Sequence, residues 1–233
     1  MAELVQYIEN SVLGVRAALY TLARKIGAPK FLLFPMVHIG SPGYYSHVHK
    51  SLEACDVVLF EGVRTFRARV LSLSYRFVAR RKRLGLVSQG ASLLRGIRGR
   101  LILADVAPGE FSDNWARIPW HFRLMILLIA PVYGAYRYFT ATKESIGRQM
   151  ESEDVESSSI SGETPPAFDE AILASRDAKL VATLRSVMDS ASPPATVGIV
   201  YGAAHMKVVT TVLMGEYHYQ VERSEWLAVI DYD

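Results

Sequence analysis

The chain has 233 residues, 50% hydrophobic and 21% charged, with 26 basic and 23 acidic residues for a formal net charge of +3. Those proportions belong to an ordinary globular domain and exclude a wholly disordered chain or a coiled coil, and the near balance of charge leaves no specific nucleic-acid partner expected. A single cysteine, Cys55, excludes an internal disulfide framework and a cysteine-only zinc site.

Apolar residues at Leu4, Ile8, Val12, Val15, Leu19, Leu22 and Ile26 recur every three or four positions. That spacing predicts an amphipathic helix over 1–28, with Lys25 in its last turn and Gly27 after it. The opening MAELVQYIEN carries Glu3 and Glu9 and no basic segment, unlike a secretory signal peptide, so a cytoplasmic or membrane-peripheral location is expected. FLLFPMV (31–37) reads as a short buried strand, and a loop with Gly40, Pro42 and Gly43 follows it. Residues 44–54 read as a helix, DVVLFEGV (56–63) as a second buried strand, and 64–84 and 86–97 as helices. RLILAD (100–105) is a third strand. A helical, aromatic-rich insertion spans 109–148, with Pro119 and Pro131 as breaks. Residues 150–166, rich in serine and acid, read as a mobile loop. A helix over 167–190, a strand at VGIVY (197–201), a helix near 204–214 and a strand at WLAVID (226–231) complete the chain. Strands alternating with helices predict one α/β domain over 1–233, with a mixed, mostly parallel central sheet flanked by helices.

Charge is unevenly placed. Arg64 to Arg100 holds eleven basic residues and no acid, whereas Glu151 to Glu163 holds five acids and no base. The basic run reads either as a solvated helix face or as a rim that attracts anionic groups. The uncharged stretch from Leu124 to Tyr136 is too short for a bilayer span, so it reads as a buried or interfacial helix.

Ligands of open α/β sheets bind beyond the carboxyl ends of the strands. That rule selects His38 after the first strand, Glu61 and Asp105 at the ends of the second and third, and His205 just past the fourth. Two histidines with carboxylates at neighbouring strand ends suit a divalent metal with open positions for water. Gly202 sits at the turn before His205, where a missing Cβ permits positive φ or a close backbone approach. The helix start behind it would favour an anion. Gln89 is placed in the same cleft. His47 and His49 would share a face only on a strand, and their stretch reads as helical, so they are not a joint ligand pair.

The segments PMVHIGSP (35–42), VVLFEGV (57–63), ASRDAKLVATL (174–184) and VGIVYGAAHMKVV (197–209), with RLILADVAPGEF (100–111), resemble the TraB/PrgY–Tiki family. That family lies within a larger superfamily that includes erythromycin esterase and ChaN-type proteins. Its pattern is a strand leading to GxxH, a strand ending in Glu, an Arg-bearing helix and a second GxxH strand. The resemblance covers about 30 to 215 and departs at Pro35, where the family has Gly. It implies a metal-dependent hydrolase, a peptidase using manganese or cobalt rather than zinc. In it His38, Glu61 and His205 would be metal ligands or bases, and Arg176 would stabilise an oxyanion or fix Glu61. With Gly202, Gln89 and Asp105 placed near the substrate, the expected partner is a peptide or small molecule. Two alternatives stand beside it: a non-catalytic protein that binds peptide, metal or haem, and a peripheral protein on an anionic membrane surface. A homodimer through the aromatic block is a further expectation.

Overall fold

The computed structural model describes residues 5–24, 28–62, 73–156, 173–190 and 195–232. Strands β1 (Ile8–Ser11), β2 (Gly14–Ala23), β3 (Lys30–Met36), β5 (Val57–Phe60), β7 (Arg100–Leu103), β8 (Thr196–Gly202) and β9 (Gln220–Asp231) form one sheet. From one edge it runs β9, β2, β3, β8, β5, β7, with β1 beside the first half of β2 on the side that β3 pairs further along. The strands β3, β8, β5 and β7 are parallel, and β2 runs antiparallel to both β9 and β3. The fold is therefore α/β with a mixed, mostly parallel sheet over the half that bears the strand ends singled out above. A two-stranded ribbon, β4 (Ile39–Gly40) with β6 (Val87–Ser88), lies beside it.

The parallel strands are short and apolar because both faces are covered. On one face Phe34, Met36, Val58 and Val200 meet Tyr44, Val48 and Leu52 of α1 (Pro42–Leu52) and Ile146 and Met150 of α5 (Lys143–Glu156). On the other, Leu33, Leu59, Val197 and Ile199 meet Leu180, Leu184 and Val187 of α6 (Ser175–Met188) and Met206 and Val209 of α7 (Met206–Thr210). Gly198 lets α1 approach β8, since a Cβ there would lie 2.9 Å from a methyl of Leu52 and 3.0 Å from Cys55 Sγ. Cys55 is thus a buried apolar filler, and its thiol is pushed up to about 11, chiefly by burial. Helix α1 begins at Ser41, whose Oγ accepts the Tyr44 N–H, with Pro42 in the first turn.

The expected helix over 1–28 is instead a β-hairpin, β1 and β2, joined by an exposed turn at Val12 and Leu13; residues 1–4 and 25–27 lie outside the described residues. The spacing misleads because β2 is an internal strand. Val15, Ala17 and Leu19 face one core, and Tyr20 and Leu22 face the other. Apolar residues on both faces of a strand imitate a helical stripe.

Of the expected basic helix over 64–84, the described part forms α2 (Leu73–Ala79) and a single 3-10 turn at 82–84; residues 63–72 lie outside the described residues. The expected helix over 86–97 is the strand β6 followed by a short 3-10 turn, punctuated by Gly85 and Gly96 at positive φ. In the insertion, α3 (Pro108–Arg117) and α4 (Trp120–Thr140) part at Pro119 as expected. Helix α4 then runs through Pro131 without the expected break. The supposed loop over 150–166 starts inside α5, whose entry is capped by reciprocal bonds between Thr142 and Ser145; residues 157–172 lie outside the described residues. The strand expected at 226–231 is the second half of a longer one, β9, which begins at Gln220.

Candidate active site at the carboxyl edge of the sheet

Helix α6 leads by a crossover into β8, so its first turn sits at the carboxyl edge of the parallel strands. There it meets the residues that follow β5, β7 and β8. Arg176 in that first turn bridges two carboxylates. Its Nε and Nη2 donate to Asp105 Oδ1 and Oδ2, each at 2.9 Å, and Nη2 also donates to Glu61 Oε1 at 2.5 Å. A cation at a helix N-terminus opposes the helix dipole, and the two acids offset that cost.

Asp105 is 2% exposed. Besides the Arg176 fork it accepts the N–H groups of Gly62 and Val106, at 3.0 and 2.8 Å. Its acceptor sites are spoken for, so Asp105 anchors Arg176 rather than meeting a substrate. Glu61 continues the sheet through its own N–H, bonded to Val200 O, and its Oε2 accepts the Gly202 N–H at 2.8 Å. Burial alone would push the Glu61 carboxyl up. The charges of Arg176, His38 and His205, with the Arg176 hydrogen bond, overturn that and hold it down at about 2. Arg176 is driven the opposite way to its own burial: Glu61 and Asp105 hold its proton firmly.

His205, 4% exposed, donates from Nδ1 to Asp177 Oδ1 at 2.6 Å. Asp177 follows Arg176 in the same turn of α6, so one turn of helix fixes both the cation and the imidazole. The His205 ring stands edge-on to Tyr201, with centroids 4.9 Å apart, and the Arg176 guanidinium lies over the Tyr201 ring, 5.6 Å from its centre. The Tyr201 hydroxyl is buried near Asp105, and burial holds its proton on.

The structure brings together Glu61, Arg176, Asp105, Gly202 and His205. His38 stands at the rim, exposed, close enough for its charge to act on Glu61. Gln89 reaches the same rim through its backbone, donating its N–H to His38 O at 2.9 Å. Gly202 serves by close approach and not by positive φ: its φ is −51°, and a Cβ would lie 3.3 Å from Glu61 Oε2 and 3.5 Å from His205 Cδ2. Behind it a continuous helical run forms as expected, a 3-10 turn at Ala203–His205, then α7, then a π-helical stretch at Thr211–Glu216. Pro35, the counterpart of Gly202 in the first motif, has no N–H to offer Glu61; its carbonyl accepts from the Tyr44 hydroxyl at 2.8 Å. His47 and His49 diverge, His47 towards Glu225 and His49 donating to Leu93 O. His49, with Tyr45, Ser88 and Arg95, lines a separate shallow cavity of about 470 Å³ that Glu61 does not border.

As arranged, the two carboxylates do not suit a divalent cation: one Glu61 oxygen is bonded to a guanidinium and the other to a peptide N–H, and Asp105 is saturated, whereas the Asp177 bond on His205 Nδ1 leaves Nε2 and does not by itself exclude a metal. A cation at Glu61 would sit beside the Arg176 charge. Among the described residues no three His, Cys, Asp or Glu side chains are grouped as a metal would require. Sequence reasoning missed Asp177 as the partner of His205. Its one signal was a carboxylate next to Arg176 in a helix's first turn, and nothing in the spacing ties it to a histidine 28 residues on. No family model matches the chain, and no curated protein and no solved structure matches it.

Proposed function

We propose that the chain is a hydrolase of the TraB/Tiki-like kind that its motifs resemble, acting on the carbonyl of a peptide or small-molecule substrate through His205. The observation that carries the reading is the 2.6 Å bond from His205 Nδ1 to Asp177, beside a Glu61 carboxylate fixed by Arg176 and Gly202. A carboxylate on Nδ1 sets the tautomer and leaves Nε2 as the base, as in nucleophile–histidine–acid arrangements. In this mechanism His205 Nε2 takes a proton from water as its oxygen attacks the carbonyl carbon. The imidazolium then returns that proton to the leaving nitrogen or oxygen as its bond to carbon breaks. Glu61 is ionised throughout the neutral range and stabilises the imidazolium. Arg176 Nη1 lies outside both carboxylate pairs and is the donor for the tetrahedral oxyanion.

Substitution tests the roles. On a panel of chromogenic esters and peptides, His205→Asn lowers kcat by about 10²–10⁴ with the fold intact by circular dichroism. Asp177→Asn lowers it through the wrong tautomer and alters the pH profile. Unchanged turnover in both variants would remove His205 from the chemistry.

A further inference from the structure

Helix α4 is apolar on both sides. Its inner side packs on α2 and, through Phe122, Ile126 and Leu127, on Trp115 and Ile118 of the α3 segment. Its outer side should then be polar, as on an ordinary surface helix. It is not: Trp120, Leu124, Leu128, Val132, Tyr136 and Phe139, one on each successive turn, are between 48% and 75% exposed. At about 1.5 Å per residue this apolar strip is roughly 30 Å long, far beyond the scattered exposed apolar residues of a normal surface.

The charge around the strip has one sign. Residues 114–143 contain no Asp or Glu, and neither do residues 64–104. Arg81 donates from Nη1 to the carbonyls of Phe139 and Ala141, which brings the basic segment 76–83 to the C-terminal end of α4. Its neighbours Arg76, Arg80, Lys82 and Arg83 are exposed there. A second copy docked on this strip would set apolar surface against apolar surface while offering these bases no acid on α4 or on the basic segment. An anionic lipid surface satisfies both features at once. No described helix is long and apolar enough to cross a membrane, and the inner side of α4 is already covered by protein. The helix would therefore lie in the interface plane, with aromatic residues towards its ends at headgroup depth.

We propose that α4 and the 76–83 segment together form a docking surface for an anionic bilayer, the strip entering the headgroup boundary and the bases meeting lipid phosphates and carboxylates. The proposal is independent of the hydrolase reading. It is tested by flotation of the purified chain with vesicles of phosphatidylcholine, with and without phosphatidylserine. The chain floats with the phosphatidylserine vesicles and releases at high salt. Arg80→Gln/Lys82→Gln/Arg83→Gln weakens partitioning about a hundredfold, and Leu128→Gln/Val132→Gln abolishes it, with both variants folded by circular dichroism. Failure to float with either vesicle overturns the proposal. So does a dimer in solution that Leu128→Gln/Val132→Gln dissociates, since that result gives the strip to a second copy. A monomer that ignores vesicles would mean that other residues of the chain cover the strip.

Discussion

Glu61 stays ionised in a place where burial alone would protonate it. Its folded value of about 2 lies below its ordinary 4.5, so the stabilisation is fully present above 4.5 and is lost as pH falls towards 2. At neutral pH that difference amounts to about 3 kcal/mol. Urea denaturation of the wild type should show a fall in stability over this window, and Glu61→Gln should flatten it. Equal slopes in both proteins would mean that Arg176 does not hold the carboxylate as described. The residues at strand ends were legible because the carboxyl edge of a parallel sheet is a geometric rule that needs only the strands. Which of them bond to one another was not. Asp105 reads like Glu61 in sequence, yet two peptide N–H groups and the Arg176 fork make it an anchor. Gly202 was readable as a close approach, and the oxygen it approaches was not.

At the scale of elements, the short strands 30–36, 57–60, 100–103 and 196–202 could be read because each is an apolar run closed by loop residues. The hairpin β1–β2 could not. Its pairing with β9 joins residues more than 190 positions apart and makes β2 an internal strand, whose two faces pack into the two cores. Gly14 was the local sign that the apparent helix turns back. It has φ of 147°, and a Cβ there would collide with the Ile230 carbonyl. Gly14→Ala should therefore cost about 2 kcal/mol or more, from backbone strain and a forced separation of β2 from β9. A thermal melt checks this; an unchanged Tm would show that the turn tolerates the side chain. Helix α6 is the element that assembles the site, since one turn presents Arg176 to two strand ends and Asp177 to a third. Helix α4 shows the opposite limit of sequence reading. Its apolar character is plain, but the sequence reading broke it at Pro131, and only the packed structure tells how long it runs and which half is covered.

Across the whole molecule, the sheet divides the labour. The antiparallel half, β9–β2–β3, closes one side of the core, and the parallel half, β3–β8–β5–β7, delivers four chain ends to one edge. The order of those strands sets β8 between β3 and β5, so the second histidine motif lands beside both the first motif and Glu61. The site then contains a fixed carboxylate, a guanidinium with one nitrogen to spare and an imidazole oriented by an acid. The measurement that tests this account most directly is turnover of the ester and peptide panel by metal-stripped protein in chelator, beside the same protein given manganese. Hydrolysis that persists in chelator and disappears in His205→Asn is the result predicted. Hydrolysis that appears only with manganese, bound near stoichiometrically and lost in His38→Ala/His205→Ala, would contradict it, as would no hydrolysis under either condition.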